Sequence, residues 1–336
     1  MRAPSFWWQP ERSLAAHLLS PLGSLVGGVA ARRMRQPGVS LGVPVICIGN
    51  PTVGGAGKTP TALYLARRIA RKGHRPSILT RGYGGRIEGP VQVDPVRHRA
   101  LEVGDEPLLL ATVAPTYVAR DRPHGLAMAV ADGADVVLMD DGFQNPSVQK
   151  TLSILVVDAA VGIGNGLCVP AGPLRAPLAP QLARAQALLV VGQGEAGAEV
   201  ARLARAAGLA VLTGRLAPNA AVMARLIGRR VLAFAGIGRP EKFFATLRGL
   251  GVASVVTRAF PDHHPFNASD IAALVERAAA DDLMPVTTEK DAVRLTATPE
   301  GRDLLRASVV LPVQLVLEEE SVVALDRLVA RQFVDG

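Results

Sequence analysis

Short apolar runs alternate with segments of helical periodicity along most of this chain. The apolar runs lie at residues 45–48, 76–80, 116–119, 136–139, 152–157 and 187–191. Runs of this kind, without regular polar alternation, are typical of strands buried on both faces of a parallel sheet. Between them, over residues 63–70 and 196–207 for example, apolar side chains recur at helical spacing. The alternation predicts an α/β fold with a doubly wound, mostly parallel sheet.

The same alternation restarts at about residue 217. Predicted strands lie at residues 231–235, 252–257, 285–288 and 309–317, and predicted helices at residues 240–250, 271–280 and 321–333. This second set predicts a smaller α/β domain at residues 217–336, which follows a core domain at residues 38–216. The glycine turn at residues 236–238 lacks the third glycine of a dinucleotide-binding fingerprint.

Composition favours an anionic partner. The 336 residues carry a net charge of +8, and the sequence pI is about 10.2. Most of the cations are arginines, whose planar fork suits phosphate, although biased codon usage explains the preference for arginine at least as well. No compact arginine run with interleaved aromatics is present, so we expect no nucleic-acid partner, and nothing indicates an obligate protein partner. Cys47 and Cys168 lack metal-ligand spacing and are expected to be reduced cytosolic thiols.

A glycine-rich loop follows the first apolar run and precedes a helical segment. Strand, glycine loop and helix in this order are what a phosphate-binding loop needs, because backbone N–H groups and the helix N-terminus then face the phosphates. Lys58 would reach the terminal phosphates, and Thr59 would bind Mg²⁺. The loop is a short form, since Thr52 replaces the first glycine of the strict motif. The residues expected to contact the nucleotide are Thr52, Val53, Gly54, Gly55, Ala56, Gly57, Lys58 and Thr59.

Two acids end the apolar run at residues 136–139. A strand that delivers a carboxylate to the metal is the usual partner of a phosphate loop, so Asp140 and Asp141 are candidate Mg²⁺ ligands. The alternative is an ordinary Asp-Asp-Gly turn. Asp105 lies at a predicted helix start, where an acid is common, and His263 lies in a loop where a solvated histidine is equally expected. A long Gly- and Pro-rich loop, predicted to face the substrate, ends at Arg175.

The segment at residues 1–37 differs from the rest of the chain. Both tryptophans, Trp7 and Trp8, lie here, and arginines close the segment. Its large apolar side chains at helical spacing are Leu14, Leu18, Leu22, Leu25 and Val29. This pattern predicts an amphipathic helix in a membrane interface. Three alternatives are a transmembrane span, which His17 and Pro21 disfavour, a signal peptide, which a nucleotide loop disfavours, and a helix packed on the protein's own core.

Several motifs together resemble one family, the tetraacyldisaccharide 4'-kinases of lipid A biosynthesis. The motifs span nearly the whole chain and are Phe6-Trp7, Gly49-Asn50, residues 53–60, residues 81–85, Gly104-Asp105-Glu106-Pro107, residues 140–144, residues 164–166, residues 170–175, Asp262-His263-His264 and residues 288–292. The chain departs from the family pattern twice, with Asn145 where a histidine is usual and Ala176 where an acid is usual.

The resemblance implies transfer of the ATP γ-phosphoryl group to the 4'-hydroxyl of an acylated glucosamine disaccharide 1-phosphate. It implies that ATP and Mg²⁺ are used. It also implies that the base is the carboxylate of Asp105, oriented by the imidazole of His263, and that the two domains which contribute this pair would have to close before transfer. By the same resemblance, Lys58, Arg122 and Arg175 are catalytic candidates that contact phosphate. A substrate held in a membrane gives the N-terminal helix a task, and the implied location is the cytoplasmic face of the bacterial inner membrane.

Three rival functions remain at this point. A GTPase switch or metallochaperone would also use a short phosphate loop, but no asparagine here is followed by the lysine that guanine recognition normally requires. An ATPase of the partitioning type would carry an extra lysine where this chain has Val53. A kinase of a soluble sugar would leave the N-terminal apolar helix without a task.

Overall fold

The structure is a computed structural model that describes residues 3–9 and 11–333. In chain order its strands are β1 (Val45–Gly49), β2 (Pro76–Thr80), β3 (Val91–Gln92), β4 (Thr116–Val118), β5 (Val136–Asp140), β6 (Leu152–Asp158), β7 (Ala187–Val191), β8 (Ala210–Pro218), β9 (Arg230–Ala235), β10 (Ser254–Ala259), β11 (Met284–Thr288), β12 (Val309–Leu311) and β13 (Val313–Leu317). Its longer helices are α1 (Leu14–Arg33), α2 (Lys58–Arg71), α5 (Arg122–Ala131), α7 (Glu195–Ala206), α9 (Pro240–Arg248), α10 (Ala268–Ala280), α12 (Pro299–Ala307) and α13 (Glu319–Ala330).

The shorter helices complete the connections. They are α3 (Ala100–Val103), α4 (Asp105–Leu110), α6 (Leu178–Leu182), α8 (Ala220–Ala224) and α11 (Glu289–Leu295), with 3-10 turns at Ser5–Trp8 and Arg331–Phe333. α2 begins at Lys58, earlier than the first apolar residue of its pattern, because the glycine loop leads directly into its first turn.

Nine strands of the described residues form one sheet in the order β13-β8-β7-β6-β1-β5-β2-β4-β3. The strands are parallel except at the two edges, where β13 pairs with β8 and β3 with β4 in antiparallel fashion. β1 lies between β5 and β6, and every residue of these three strands is buried. Strands buried on both faces are mostly apolar, which is why these three read as mainly apolar runs in the sequence.

Helices cover both faces of this sheet. One face packs against α2 and α13, with Leu65 and Leu325 among the buried side chains. The other face packs against α5 and α7, with Leu126 and Val200 buried. The predicted doubly wound, mostly parallel sheet is therefore confirmed.

The smaller sheet has the order β10-β9-β11-β12, and all its strands are parallel. Phe243 and Phe244 of α9 pack on one face. Ile271 and Leu274 of α10 pack on the other. The predicted smaller α/β unit is thus present beside the large sheet.

The predicted single strand at residues 309–317 is wrong. The strand is interrupted at Pro312, which has no backbone N–H to donate to a neighbouring strand. β12 therefore ends in the small sheet, and β13 joins the large one. Val313 pairs with Pro218, and Leu315 and Leu317 enter the large core. The smaller unit therefore ends near residue 312, whereas the sequence predicted 217–336, of which residues 334–336 lie outside the described residues.

α1 lies on the large unit with an unusual distribution of side chains. The buried positions are Ala16, Gly23, Gly27 and Ala31. The large apolar side chains point away from the protein, and Leu14 and Leu18 are 77% and 74% exposed. The helix therefore does pack on the protein, as one alternative expected, but it does so through small residues, while the leucine stripe stays exposed. By length and composition α1 is the one helix of the described residues that could cross a bilayer.

Candidate active site

The glycine loop between β1 and α2 is open toward solvent. Gly54 and Gly57 adopt φ angles of 108° and 96°, which side chains other than glycine rarely tolerate. A Cβ atom built on Gly54 or Gly55 would meet nothing within 4 Å. The loop is fixed from below by Asn50, a buried residue whose Nδ2 donates to the Gly54 carbonyl at 3.0 Å. Backbone N–H groups at the start of α2 are thus free to receive an anion.

The segment that carries Arg175 is hydrogen-bonded to this loop. Val53 N–H donates to the Pro173 carbonyl at 2.8 Å, and Arg175 N–H donates to the Pro51 carbonyl at 2.9 Å. Arg175 Nε also donates to the Thr52 carbonyl at 3.0 Å. The structure therefore brings the predicted Arg175 beside the predicted phosphate loop, although they are more than 100 residues apart.

Asp141 lies between two of the candidate cations. Its carboxylate accepts two hydrogen bonds from Arg175, at 2.6 and 3.0 Å, and lies 3.7 Å from Lys58 Nζ. Burial would raise the pKa of Asp141, but the charges of Lys58 and Arg175 outweigh it and hold the pKa below its ordinary value. Asp141 thus supplies an acidic partner for Arg175 in a chain that has Ala176 at the adjacent position, where the family usually has an acid.

Asp140 is in a different environment. It ends β5, it is 2% exposed, and its Oδ1 atom has no hydrogen-bond partner among the described residues. Burial, aided by the negative charge of Glu106, raises the pKa of Asp140 to about 7 despite the nearby Lys58. A buried carboxylate oxygen without a donor is costly unless a cation compensates it. Asp140 is therefore the acid of this pair that fits a Mg²⁺ ligand.

The rest of the donor set is compatible with magnesium. Thr59, in the first turn of α2, is buried beside the loop. No three His, Cys, Asp or Glu side chains within the described residues form a self-contained metal cluster. Mg²⁺ at a nucleotide site takes most ligands from phosphate oxygens and water and needs only one or two protein groups.

Asp105 and His263 meet between the two sheets. Asp105 starts α4, and His263 lies in the loop after β10 with φ 57°. His263 Nδ1 lies 3.2 Å from Asp105 Oδ1. The structure therefore brings together the two residues that only the family resemblance had paired. His264, in contrast, bonds Asp270 at 2.8 Å and stacks on Phe260, so the adjacent histidines do not converge.

The pair has opposite pKa shifts. Burial would raise the pKa of Asp105, but the hydrogen bond to His263 and the charge of Arg294 hold it well below its ordinary value. The hydrogen bond to Asp105 raises the pKa of His263 against the opposing effect of burial. Asp105 is 3% exposed, whereas the His263 side chain is 33% exposed. The imidazole is therefore the part of the pair that an incoming group can reach.

Arg294 is a site residue that sequence reasoning missed. Its Nε donates to Asp105 Oδ2 at 3.1 Å, and its Nη1 donates to Asp291 Oδ1 at 2.8 Å and to the Gly236 carbonyl at 2.6 Å. On the same helix, Lys290 Nζ bonds Glu106 Oε1 at 2.6 Å. The only sequence signal near it is the family-like segment at residues 288–292, which ends two residues before Arg294. These contacts dock α11 of the smaller unit on α4 of the large one.

Arg122 is present near the site but is enclosed. It is 2% exposed, its Nη1 donates to the Thr80 carbonyl at 3.2 Å and to the Ala119 carbonyl, and its Nε has no partner among the described residues. Burial and the nearby Arg81 lower its pKa to about 10.

Asn145, the other position at which the chain departs from the family pattern, accepts a hydrogen bond from the Ser147 N–H at 2.8 Å and closes a turn.

Comparison with known proteins gives one consistent family. Residues 15–330 match the family model described as tetraacyldisaccharide-1-P 4'-kinase. The chain is 57% identical over 317 residues, 94% of this chain and 93% of the relative, to the tetraacyldisaccharide 4'-kinase of Methylobacterium sp. strain 4-46. It is 53% identical to that of Bradyrhizobium sp. strain ORS 278, over 99% of this chain and 98% of the relative.

A solved structure agrees with the sequence comparisons. The crystal structure of LpxK from Aquifex aeolicus in complex with ATP superposes with a TM-score of 0.68 at 25% sequence identity. The match covers 96% of this chain and 100% of that chain. Since the family model and the relatives cover nearly the whole chain, this protein belongs to the tetraacyldisaccharide 4'-kinase family.

Proposed function

We propose that this protein transfers the γ-phosphoryl group of ATP to the 4'-hydroxyl of a tetraacylated glucosamine disaccharide 1-phosphate, a step of lipid A biosynthesis. The observation that carries the proposal is the approach of a proton-accepting pair to a phosphate loop. Helix α4, which begins at Asp105, packs against α2, which begins at Lys58 of the phosphate loop. A kinase needs both parts, since phosphoryl transfer depends on positioning and charge neutralisation.

The phosphate side of the reaction falls to residues 52–59 and their neighbours. Backbone N–H groups of the glycine loop and Lys58 would hold the β- and γ-phosphates. Arg175, oriented by Asp141, would hold the transferring group, and Arg122 would add positive charge beneath it. Thr59 and Asp140 would hold Mg²⁺, which neutralises phosphate charge when bound.

The acceptor hydroxyl must lose a proton during transfer, and we assign that proton to the Asp105–His263 pair. Asp105 has both carboxylate oxygens engaged, one by His263 and one by Arg294. The Asp105 carboxylate, 3.2 Å from Nδ1, would favour the neutral ring with its proton on Nδ1, which would leave Nε2 as the accessible acceptor. The Asp105 carboxylate would orient the ring and stabilise the imidazolium that forms, which reverses the roles expected from the resemblance.

The N-terminal helix is proposed to bind the membrane that holds the lipid substrate. Its exposed leucines and the arginines of its last turn suit the cytoplasmic face of the bacterial inner membrane. Leu18→Glu is expected to weaken binding to anionic phospholipid vesicles at least about tenfold. The change replaces an apolar side chain that would enter the lipid with a negative one that anionic headgroups repel. Ser24→Glu, at an exposed polar position of the same helix, is the control. Equal vesicle binding by Leu18→Glu and the wild type would contradict this attachment.

The test of the reaction is a transfer assay with γ-labelled ATP, Mg²⁺ and the disaccharide 1-phosphate in detergent micelles. Label in a bisphosphorylated lipid is the expected result. Hydrolysis of ATP with unlabelled lipid would refute the acceptor and favour a nucleotide-driven switch. Transfer to a water-soluble sugar in preference to the lipid would favour the soluble-sugar kinase.

A further inference from the structure

A glycine turn at the end of β9 is fixed by the residues that hold the Asp105–His263 pair. The Gly236 carbonyl accepts from Arg294 Nη1 at 2.6 Å and from the His263 N–H at 3.0 Å. The Gly236 N–H donates to Asp291 at 2.9 Å. The position of this turn is therefore tied to the proton-accepting side of the site.

Arg239 extends from the end of this turn to the phosphate loop. Its Nη2 donates to the Gly55 carbonyl at 3.0 Å and lies 2.8 Å from Asp158 Oδ2. Among the hydrogen bonds between described residues, no other side chain of residues 219–312 reaches residues 50–59. Arg239 is thus the direct polar link from the smaller unit to the phosphate loop.

Asp158 orients the guanidinium without enclosing it. This acid ends β6, the strand beside β1, and is only 11% exposed. It also bonds Lys242 Nζ at 2.5 Å, so two cations share one buried carboxylate. The Arg239 side chain is 40% exposed, and its Nη1 and Nε atoms make no hydrogen bond with the described residues. These two atoms can therefore donate to an anion bound in the crevice at the carboxyl ends of the strands, where parallel sheets bind their ligands.

We propose that Arg239 is a nucleotide-binding residue, supplied by the smaller unit, whose guanidinium binds the polyphosphate of the nucleotide at the glycine loop. The planar fork matches phosphate oxygens, and a charge-assisted contact of this kind is stronger than a neutral one. Because the same turn is bonded to His263 and Arg294, a nucleotide that binds Arg239 also fixes the proton-accepting pair relative to the phosphates. This inference rests on the proposed ATP-dependent reaction.

The test compares two cations that share Asp158 but differ in contact with the phosphate loop. Binding of ADP and of adenosine to the full chain is measured by calorimetry for the wild type, Arg239→Gln, Arg239→Lys and Lys242→Gln. Arg239→Gln is expected to weaken ADP binding about tenfold and to leave adenosine binding unchanged. Arg239→Lys should retain part of the ADP affinity, and Lys242→Gln should change it less than about threefold.

Two outcomes would overturn the proposal. Wild-type ADP affinity in Arg239→Gln would show that the guanidinium does not bind phosphate. Equal losses in Arg239→Gln and Lys242→Gln would assign the effect to the pairing with Asp158 that both variants break. In either case, transfer of phosphate to lipid by the wild-type protein would leave the proposed function intact. Failure of the Arg239 proposal is therefore distinguishable from failure of the proposed function. Thermal unfolding of each variant checks that the fold is retained.

Discussion

The Asp105 carboxylate is held from two sides, so its replacement by the isosteric Asn tests the pair without changing its shape. Asp105→Asn removes the charge that orients His263 and neutralises Arg294. Turnover is expected to fall by about 10²–10⁴-fold, the range for loss of general acid–base function. ADP affinity should change little, because the phosphate loop is untouched. Steady-state transfer kinetics and ADP titration measure the two effects, and a turnover close to wild type would remove Asp105 from the pair.

The raised pKa of His263 gives a pH test with a definite sign. A histidine whose folded pKa is raised contributes stability that is fully present below the unfolded value of 6.5 and is lost as pH rises through the folded pKa. The free energy of unfolding of the wild type relative to His263→Gln should therefore fall as pH increases over this window. Urea unfolding at several pH values measures the difference. A difference that does not vary with pH would contradict the pairing of His263 with Asp105.

Activity should follow the same group in the opposite direction. If neutral His263 accepts the proton, turnover falls as pH drops through its raised pKa, and His263→Gln lacks this dependence. Turnover that stays constant well below that pKa would assign the proton to Asp105 instead.

At the level of single residues, the sequence predicted what lies in one local segment. Lys58 and Thr59 could be identified because strand, loop and helix are contiguous. Arg294 and Arg239 could not, because each acts on a residue more than 180 positions away, Asp105 and Gly55 respectively. Asp140 and Asp141 were predictable in part. The sequence placed both at the end of a strand, but only the structure shows that Asp141 pairs with Lys58 and Arg175 while Asp140 is buried without a hydrogen-bond donor at Oδ1 from the described residues.

At the scale of elements, α1 packs against the Gly- and Pro-rich loop that contains Cys168 and ends at Arg175. A Cβ on Gly23 would lie 2.6 Å from the Cys168 carbonyl oxygen, whereas one on Gly28 would meet nothing within 4 Å. Gly28→Ala should be neutral or stabilising, since alanine favours a helix by roughly 0.5–1 kcal/mol. Gly23→Ala should lower the melting temperature and turnover, because the helix must move from the loop. Equal melting temperatures for the two variants would contradict this packing.

Elements with a regular pattern were predictable, whereas their partners were not. The strands β1, β5 and β6 are mainly apolar in the sequence because both faces of the sheet are covered. The apolar stripe of α1 predicted the helix but not which side faces the protein, since small residues make the contact. Residues 309–317 predicted one strand because periodicity carries no information on which sheet a strand joins.

At the scale of the whole molecule, the buried Arg294 joins the two units. Arg294→Gln leaves Asp105 and Asp291 without their cation and should cost about 3–5 kcal/mol of unfolding free energy. Arg306→Gln is a matched control, since it also breaks an Arg–Asp pair three residues apart on a helix, but with both side chains at least 70% exposed. That control should cost less than about 1 kcal/mol. If denaturant unfolding gave similar losses of stability for Arg294→Gln and Arg306→Gln, burial would not be the cause of the larger expected effect at Arg294.

The return of β13 to the large sheet also has a consequence for how the molecule is made. β8 gains its outer neighbour, and one face of the core gains Leu315, Leu317, Leu325 and Val329, only from residues made after the whole smaller unit. A ribosome must therefore complete the segment between Pro218 and Val313 before the first sheet can close its edge. Until then β8 presents unpaired backbone groups, and its closing contact is of high sequence separation. Assembly of this kinase is thus a process that its last strand finishes, with the smaller unit folding as an insert between two adjacent strands.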